Sequence, residues 1–144
     1  MKYLTIMIAA YLLVGCSASP YRAAGVDTNN PGSFVVVETD SDHDHKVLRG
    51  LNETVQISRV DGENLYNFFT GFPDKAFISP GSHRIEVEFS YMNTYATGCL
   101  LIDAVAGEEY IVRKLSGLYS VKFWMENKRS GQPVGGNCPS KPKP

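Results

Sequence analysis

The chain has 144 residues, with 14 lysines and arginines against 15 aspartates and glutamates, and 43% of its residues are hydrophobic. The formal charge of -1 comes without a basic stripe or an acidic block, so no nucleic-acid partner and no solvating tail are expected. The length suits one compact domain with a single core, large enough to fold without depending on a disulfide.

Met1-Lys2-Tyr3 supplies one basic residue, and a nearly unbroken apolar run from Leu4 to Val14 then meets Gly15-Cys16. Basic, apolar, small is the order of a cleaved export signal. The run is about eleven residues, whereas a bilayer-spanning helix needs ~20, so it is read as a segment to be removed. Its end, Leu13-Val14-Gly15-Cys16, resembles the lipobox of bacterial lipoproteins at all four positions. The resemblance implies loss of residues 1–15 and acylation of Cys16 as the new N-terminus; the alternative is an ordinary secretory cleavage near Ala18-Ser19. Two or three acyl chains, at ~0.8 kcal/mol per buried methylene, anchor far more firmly than one, which makes the membrane an expected partner. Ser17 stands where an aspartate would retain an enterobacterial-type lipoprotein in the inner membrane, and so implies the outer membrane.

From Ser17 to Ser33 the composition is rich in Ser, Ala, Pro, Asn and Gly without a period of two or 3.6. Residues 16–32 therefore read as a flexible tether that holds a domain at 33–135 some tens of ångströms from the lipid. The end, 136–144, reads as a disordered tail. With Cys16 acylated, Cys99 and Cys138 have only each other in an oxidising compartment; the alternative is a buried thiol at Cys99 and a loose one at Cys138.

Strands are predicted in between. Phe34 to Thr39 is short and β-branched. Thr54 to Val60 alternates, with Val55, Ile57 and Arg59 on one face and Thr54, Gln56, Ser58 and Val60 on the other, and Asp61-Gly62 follows as a hairpin signal. Pro80-Gly81 suits a type II turn, and it precedes the clearest alternation: His83, Ile85, Val87, Phe89 and Tyr91 against Arg84, Glu86, Glu88 and Ser90. Thr97 to Ala104, Glu109 to Leu115 and Val121 to Glu126 read as a meander, and Val134 as a short last strand. No segment reads as a helix. Seven to eight such strands imply an all-β sandwich or barrel, and a sandwich of immunoglobulin-like or transthyretin-like type is the expectation.

Val60-Asp61-Gly62, the segment Ile78 to Val87 and the segment Ala104 to Val112 together resemble small proteobacterial envelope lipoproteins akin to PEGA-type and carboxypeptidase-regulatory-like β-sandwiches. The resemblance covers Thr54 to Gly131. It implies turns at Asp61-Gly62, Pro80-Gly81 and Ala106-Gly107 and carries no catalytic residue. Leu65 to Phe77 is longer and more aromatic than the hairpin such domains place there, and reads either as a bulged hairpin or as a loop with a helical turn.

Three groups could carry chemistry. Asp40, Asp42, His43, Asp44 and His45 mix carboxylates with imidazoles, a donor set for zinc, copper or nickel on one side and calcium or magnesium on the other. As a calcium loop the segment fails, because His45 stands where glycine and Leu51 where a bidentate glutamate is required; the other reading is a polar solvated loop. His83 with the Glu86 and Glu88 pair could serve catalysis only in a cleft, and no Gly-x-Ser-x-Gly elbow occurs. Tyr66, Phe68, Phe69, Phe72 and Phe77 either fill the core or form an exposed patch for an envelope protein or glycan, and Trp124 falls on the face opposite Val121, Phe123 and Met125. The functional expectation is a non-enzymatic envelope lipoprotein, without cofactor, that acts by contact; the alternative is a metal-handling lipoprotein using the Asp/His segment.

Overall fold

The computed structural model describes residues 19–41 and 52–139. The signal segment, Cys16 and four members of the Asp/His group (Asp42, His43, Asp44 and His45) lie outside the described residues. The described chain is all β: β1 (Tyr21–Arg22), β2 (Val35–Thr39), β3 (Thr54–Val60), β4 (Glu63–Asn64), β5 (Lys75–Ile78), β6 (Gly81–Tyr91), β7 (Thr94–Ala104), β8 (Glu109–Ser116), β9 (Val121–Asn127), β10 (Pro133–Val134) and β11 (Gly136–Asn137). They form a six-stranded sheet, β1-β5-β2-β8-β9-β10, and a five-stranded sheet, β11-β7-β6-β3-β4.

The alternation in the sequence explains how the two sheets meet. Ile85, Val87 and Phe89 from β6 and Leu100, Ile102 and Ala104 from β7 point inward from one sheet, while Val35, Val37, Tyr110, Val112, Phe123 and Met125 point inward from the other, in one buried cluster. Each fully buried Val, Ile or Phe stabilises by roughly 1.5–3 kcal/mol relative to exposure. The long β6–β7 hairpin carries eleven register pairs, from Gly81 with Ala104 to Tyr91 with Thr94.

Four expectations change. Tyr21–Arg22, expected in the tether, pairs in parallel with Ala76 and Phe77. Gly136–Asn137, expected in the tail, pairs with Leu101 and Leu100. Beside it the expected bond between Cys99 and Cys138 is formed, with α-carbons 5.4 Å apart, and the Cys138 N–H donates to the Cys99 carbonyl. The predicted meander is instead a crossover: β7 lies in one sheet and the β8–β9 hairpin in the other. Ala104 and Tyr110 both turn inward, each from its own sheet.

The fourth change lies in β3. Ile57 stands opposite Val87 but Arg59 stands opposite Glu86, so Ser58 is an extra residue. A bulge of this kind reverses the facing of everything after it. Val60 is consequently buried and Arg59 exposed, the opposite of strict alternation.

Gly98 marks where the sheets come closest. A β-carbon there would stand inside the ring of Phe123 on the facing sheet. Gly98→Ala is therefore expected to destabilise by about 1–3 kcal/mol through overpacking, read as a lower urea midpoint at unchanged slope. Combined with Phe123→Leu the loss should be smaller than the sum of the two single losses. Additive losses would mean that the ring does not occupy that space.

Candidate functional site

The site begins at the bulge. Val60 pairs with Glu63 across Asp61-Gly62, whose φ angles of 51° and 87° are those of a type I′ hairpin turn. After β4 the Leu65 N–H donates to the carbonyl of Ser58 at 3.0 Å, and the Leu65 side chain enters the core. That contact fixes one foot of the segment running to β5. The other foot is fixed by the N–H of Ile57 donating to the Pro73 carbonyl at 2.8 Å, and by the Gln56 amide donating to the Phe72 carbonyl at 2.9 Å.

Between the feet the backbone closes on itself. Asn67 and Gly71 exchange N–H to carbonyl bonds of 3.0 and 2.7 Å, and the Asn67 side-chain oxygen accepts from the N–H groups of Phe69 and Thr70. This asparagine-nucleated turn is closed as a tight hairpin by the isolated bridge between Asn67 and Gly71. It holds Phe68 and Phe69 at the tip, 83% and 88% exposed, edge to face with ring centres 5.4 Å apart. Tyr66 is also exposed and meets the half-buried Phe72 edge-on at 5.2 Å. The core-filling reading therefore fails for Tyr66, Phe68 and Phe69. Phe77 packs edge-on against Phe34, outside the buried cluster that its strand neighbours Ala76 and Ile78 enter.

Beside this loop, on the outer face of the five-stranded sheet, lies a cleft of about 420 Å³ lined by Phe72, Arg59, Arg84, Glu86, Glu88 and Thr97 among others. Glu86 accepts from the Arg84 guanidinium at 3.0 Å and lies 3.6 Å from that of Arg59. Tyr95 donates to Glu88, and this bond, ahead of desolvation, raises the phenol above its ordinary value. The arrangement offers both charge signs beside aromatic faces. It can recognise a mixed polar and apolar surface. The glutamate pair expected to face bulk water thus lines a cleft, Arg59 and Arg84 line it too, and Tyr95 is bonded to its Glu88. Arg59 was hidden from sequence reading by the bulge. Arg84 alternated visibly, but alternation says only that a residue faces outward.

The remaining candidates lie elsewhere. His83 sits at the start of β6, its side chain about 10% exposed. Its Nδ1 lies 2.6 Å from the Asp61 carboxylate and its Nε2 lies 2.7 Å from the Ser79 carbonyl. Both partners are acceptors, so the ring ties two turns together, and its Nε2 faces a backbone oxygen where a nucleophile's hydroxyl would have to be. Trp124 is half-buried on β9, on the outer face of the six-stranded sheet, and donates to Glu126 at 2.7 Å; it does not join the aromatic loop. Asp40 holds Arg113 at 3.2 Å. Among the described residues no three His, Cys, Asp or Glu side chains converge as a metal site, and no helix is long and apolar enough to cross a membrane.

Comparison with protein-family models, with curated proteins and with solved structures finds no match.

The turn beneath the site is pH-linked. Burial works to raise the Asp61 carboxyl, but the Arg84 N–H, the hydrogen bond from His83 and the charge of His83 outweigh it and hold the group below its ordinary value. A carboxyl depressed on folding contributes stability above its unfolded value of roughly 3.9 and loses it as pH falls through the folded value. The melting temperature should therefore fall as pH drops from about 5 towards 2. Asp61→Asn, which tolerates the positive φ, should flatten that fall in melts followed by circular dichroism. An identical slope in the variant would show that Asp61 is not among the linked groups.

Proposed function

We propose that this protein is a lipid-anchored component of the bacterial cell envelope that acts by contact rather than catalysis. In this reading Cys16 carries the lipid, Ser17 directs the protein to the outer membrane, and an immunoglobulin-like or transthyretin-like sandwich is displayed on the envelope. The observation that carries the binding role is the pair Phe68 and Phe69, almost fully exposed on a loop tied at both feet and across its neck. Lone exposed apolar residues are ordinary on protein surfaces. Two adjacent phenylalanines on an ordered tip, beside a cleft of paired charges, match the aromatic anchor and polar rim of a protein-protein contact. A protein partner is favoured over a glycan, because the cleft offers charge complementarity of both signs.

The metal-handling alternative draws no support from Asp40, whose carboxylate is occupied by Arg113.

A photo-reactive amino acid placed at Phe68 of the full chain, irradiated in intact cells, should give one reproducible protein adduct. Phe69→Ser in the same chain should abolish it. Adducts no stronger than those from a probe at Val105, in the β7–β8 turn, would remove the contact reading. Cys16→Ser should separately abolish incorporation of labelled palmitate and leave an uncleaved precursor; palmitate retained in that variant would remove the lipid anchor.

A further inference from the structure

The first strand shortens the tether to almost nothing. Tyr21 pairs with Ala76, Ala76 with Val37, and Val37 with Tyr110, which places these four residues in one row across the six-stranded sheet. β1 and β8 run in opposite directions along that row, so the chain leading back from Tyr21 heads towards the end of the sandwich that β8 reaches at Ser116. Cys16 precedes Tyr21 by five residues, which span at most about 17 Å. From Tyr110 to Ser116 a strand covers roughly 20 Å. A lipid on Cys16 can therefore reach no farther than about the level of the β8–β9 turn.

That same end carries exposed apolar tips on two separate turns. Gly117 to Ser120, closed by a 2.8 Å backbone bond, presents Leu118 and Tyr119, 94% and 99% exposed. The β6–β7 turn presents Met92, also exposed. It lies at the same end, because Ser90 pairs with Thr54 at the start of β3 and neighbouring Glu53 accepts from Ser116 and binds Lys114. Met92 has φ of 49°, a left-handed conformation that Gly or Asn adopts more readily than a side chain of this kind. The opposite end differs. Its turns are Asp61-Gly62, Pro80-Gly81, Ala106-Gly107 and Arg129-Ser130-Gly131, and Val105 is the large apolar residue exposed on them.

We infer that the end of the sandwich bearing Met92, Leu118 and Tyr119 lies in the bilayer interface, its apolar tips among the headgroups and upper acyl chains of the phospholipid leaflet that holds the Cys16 lipid. The inference rests on the proposed lipid anchor and replaces the picture of a domain held far from its membrane. Tips of this kind dock about 5–10 Å into the interface. The aromatic loop at Phe68 and Phe69, which projects from the side of the sandwich, is then left free for its partner at a set height above the surface.

The test uses the full processed chain in vesicles of phosphatidylcholine brominated near the carbonyl end of its acyl chains. Unsubstituted protein reports through Trp124, the one native tryptophan, and should lose little emission. Tyr119→Trp adds a reporter at a fully exposed position, where packing is undisturbed, and should lose about a third or more of its emission at that depth. Val105→Trp at the opposite end should behave like the unsubstituted chain. The mass of each preparation decides the anchor separately. Acylated protein whose Tyr119→Trp emission is quenched no more than that of Val105→Trp overturns this inference alone. Protein lacking the acyl mass overturns the anchor and this inference together.

Discussion

One extra residue in β3 sets out the rest of the cleft face. Were Ser58 an ordinary strand position, strict alternation would send Arg59 into the core and Val60 into solvent; because it bulges, Arg59 reaches the cleft and Val60 packs inside. The same residue's carbonyl receives the N–H of Leu65, which anchors the aromatic loop. The hairpin turn that follows positions Asp61 to hold both His83 and the backbone of Arg84. A bulge increases local twist and re-aims side chains, and here its consequences run from a single inserted serine to the cleft's charges and the loop's foot.

The loop shows how rigidity and exposure can coexist. Placing Phe68 and Phe69 in solvent forgoes roughly 1.5–3 kcal/mol per ring relative to burial, and nothing in their own packing recovers it beyond one edge-to-face contact. What holds them is backbone bonding through Asn67 and Gly71, which leaves the rings unspent. A partner that covers them gains their area without first ordering the chain, since the ordering entropy is already met within the fold.

Much of the fold was legible because one-sided strands leave a period of two. β6 is the clearest case: Ile85, Val87 and Phe89 are all buried, and each has an outward neighbour. The turns at Asp61-Gly62 and Ala106-Gly107 were equally visible, since glycine accepts positive φ and the structure uses it there. What was not legible has a common cause. Tyr21–Arg22 and Gly136–Asn137 are two-residue strands, too short for any period, and their pairing depends on an edge presented by residues far along the chain. The bulge at Ser58 is a local insertion whose signature in one sequence is indistinguishable from a break in alternation. Whether Tyr66 to Phe72 pointed in or out could not follow from composition, because phenylalanine suits a core and an interface for the same reason. Arg59, Arg84 and Tyr95 were site residues only once β3, β6 and β7 were set side by side.

Those short strands also account for how the sandwich ends. Each of the four sheet edges is a two-residue strand: β1 and β10 in one sheet, β11 and β4 in the other. Short edges, with Pro133 in one of them, present little unpaired backbone to another chain's strand. The two sides are then closed by different means. On one, Tyr21 donates to Glu63 at 2.7 Å, joining β1 to β4 beside the aromatic loop, and its hydroxyl is pushed up to about 12, first by burial and then by that carboxylate. On the other, β10 and β11 follow one another and the bond from Cys99 to Cys138 fastens the last strand, a closure that in the chain-entropy model removes about 4 kcal/mol of unfolded-state freedom. The cleft lies on the five-stranded sheet between these two closures, one a hydrogen bond to the facing sheet and the other a covalent bond within its own.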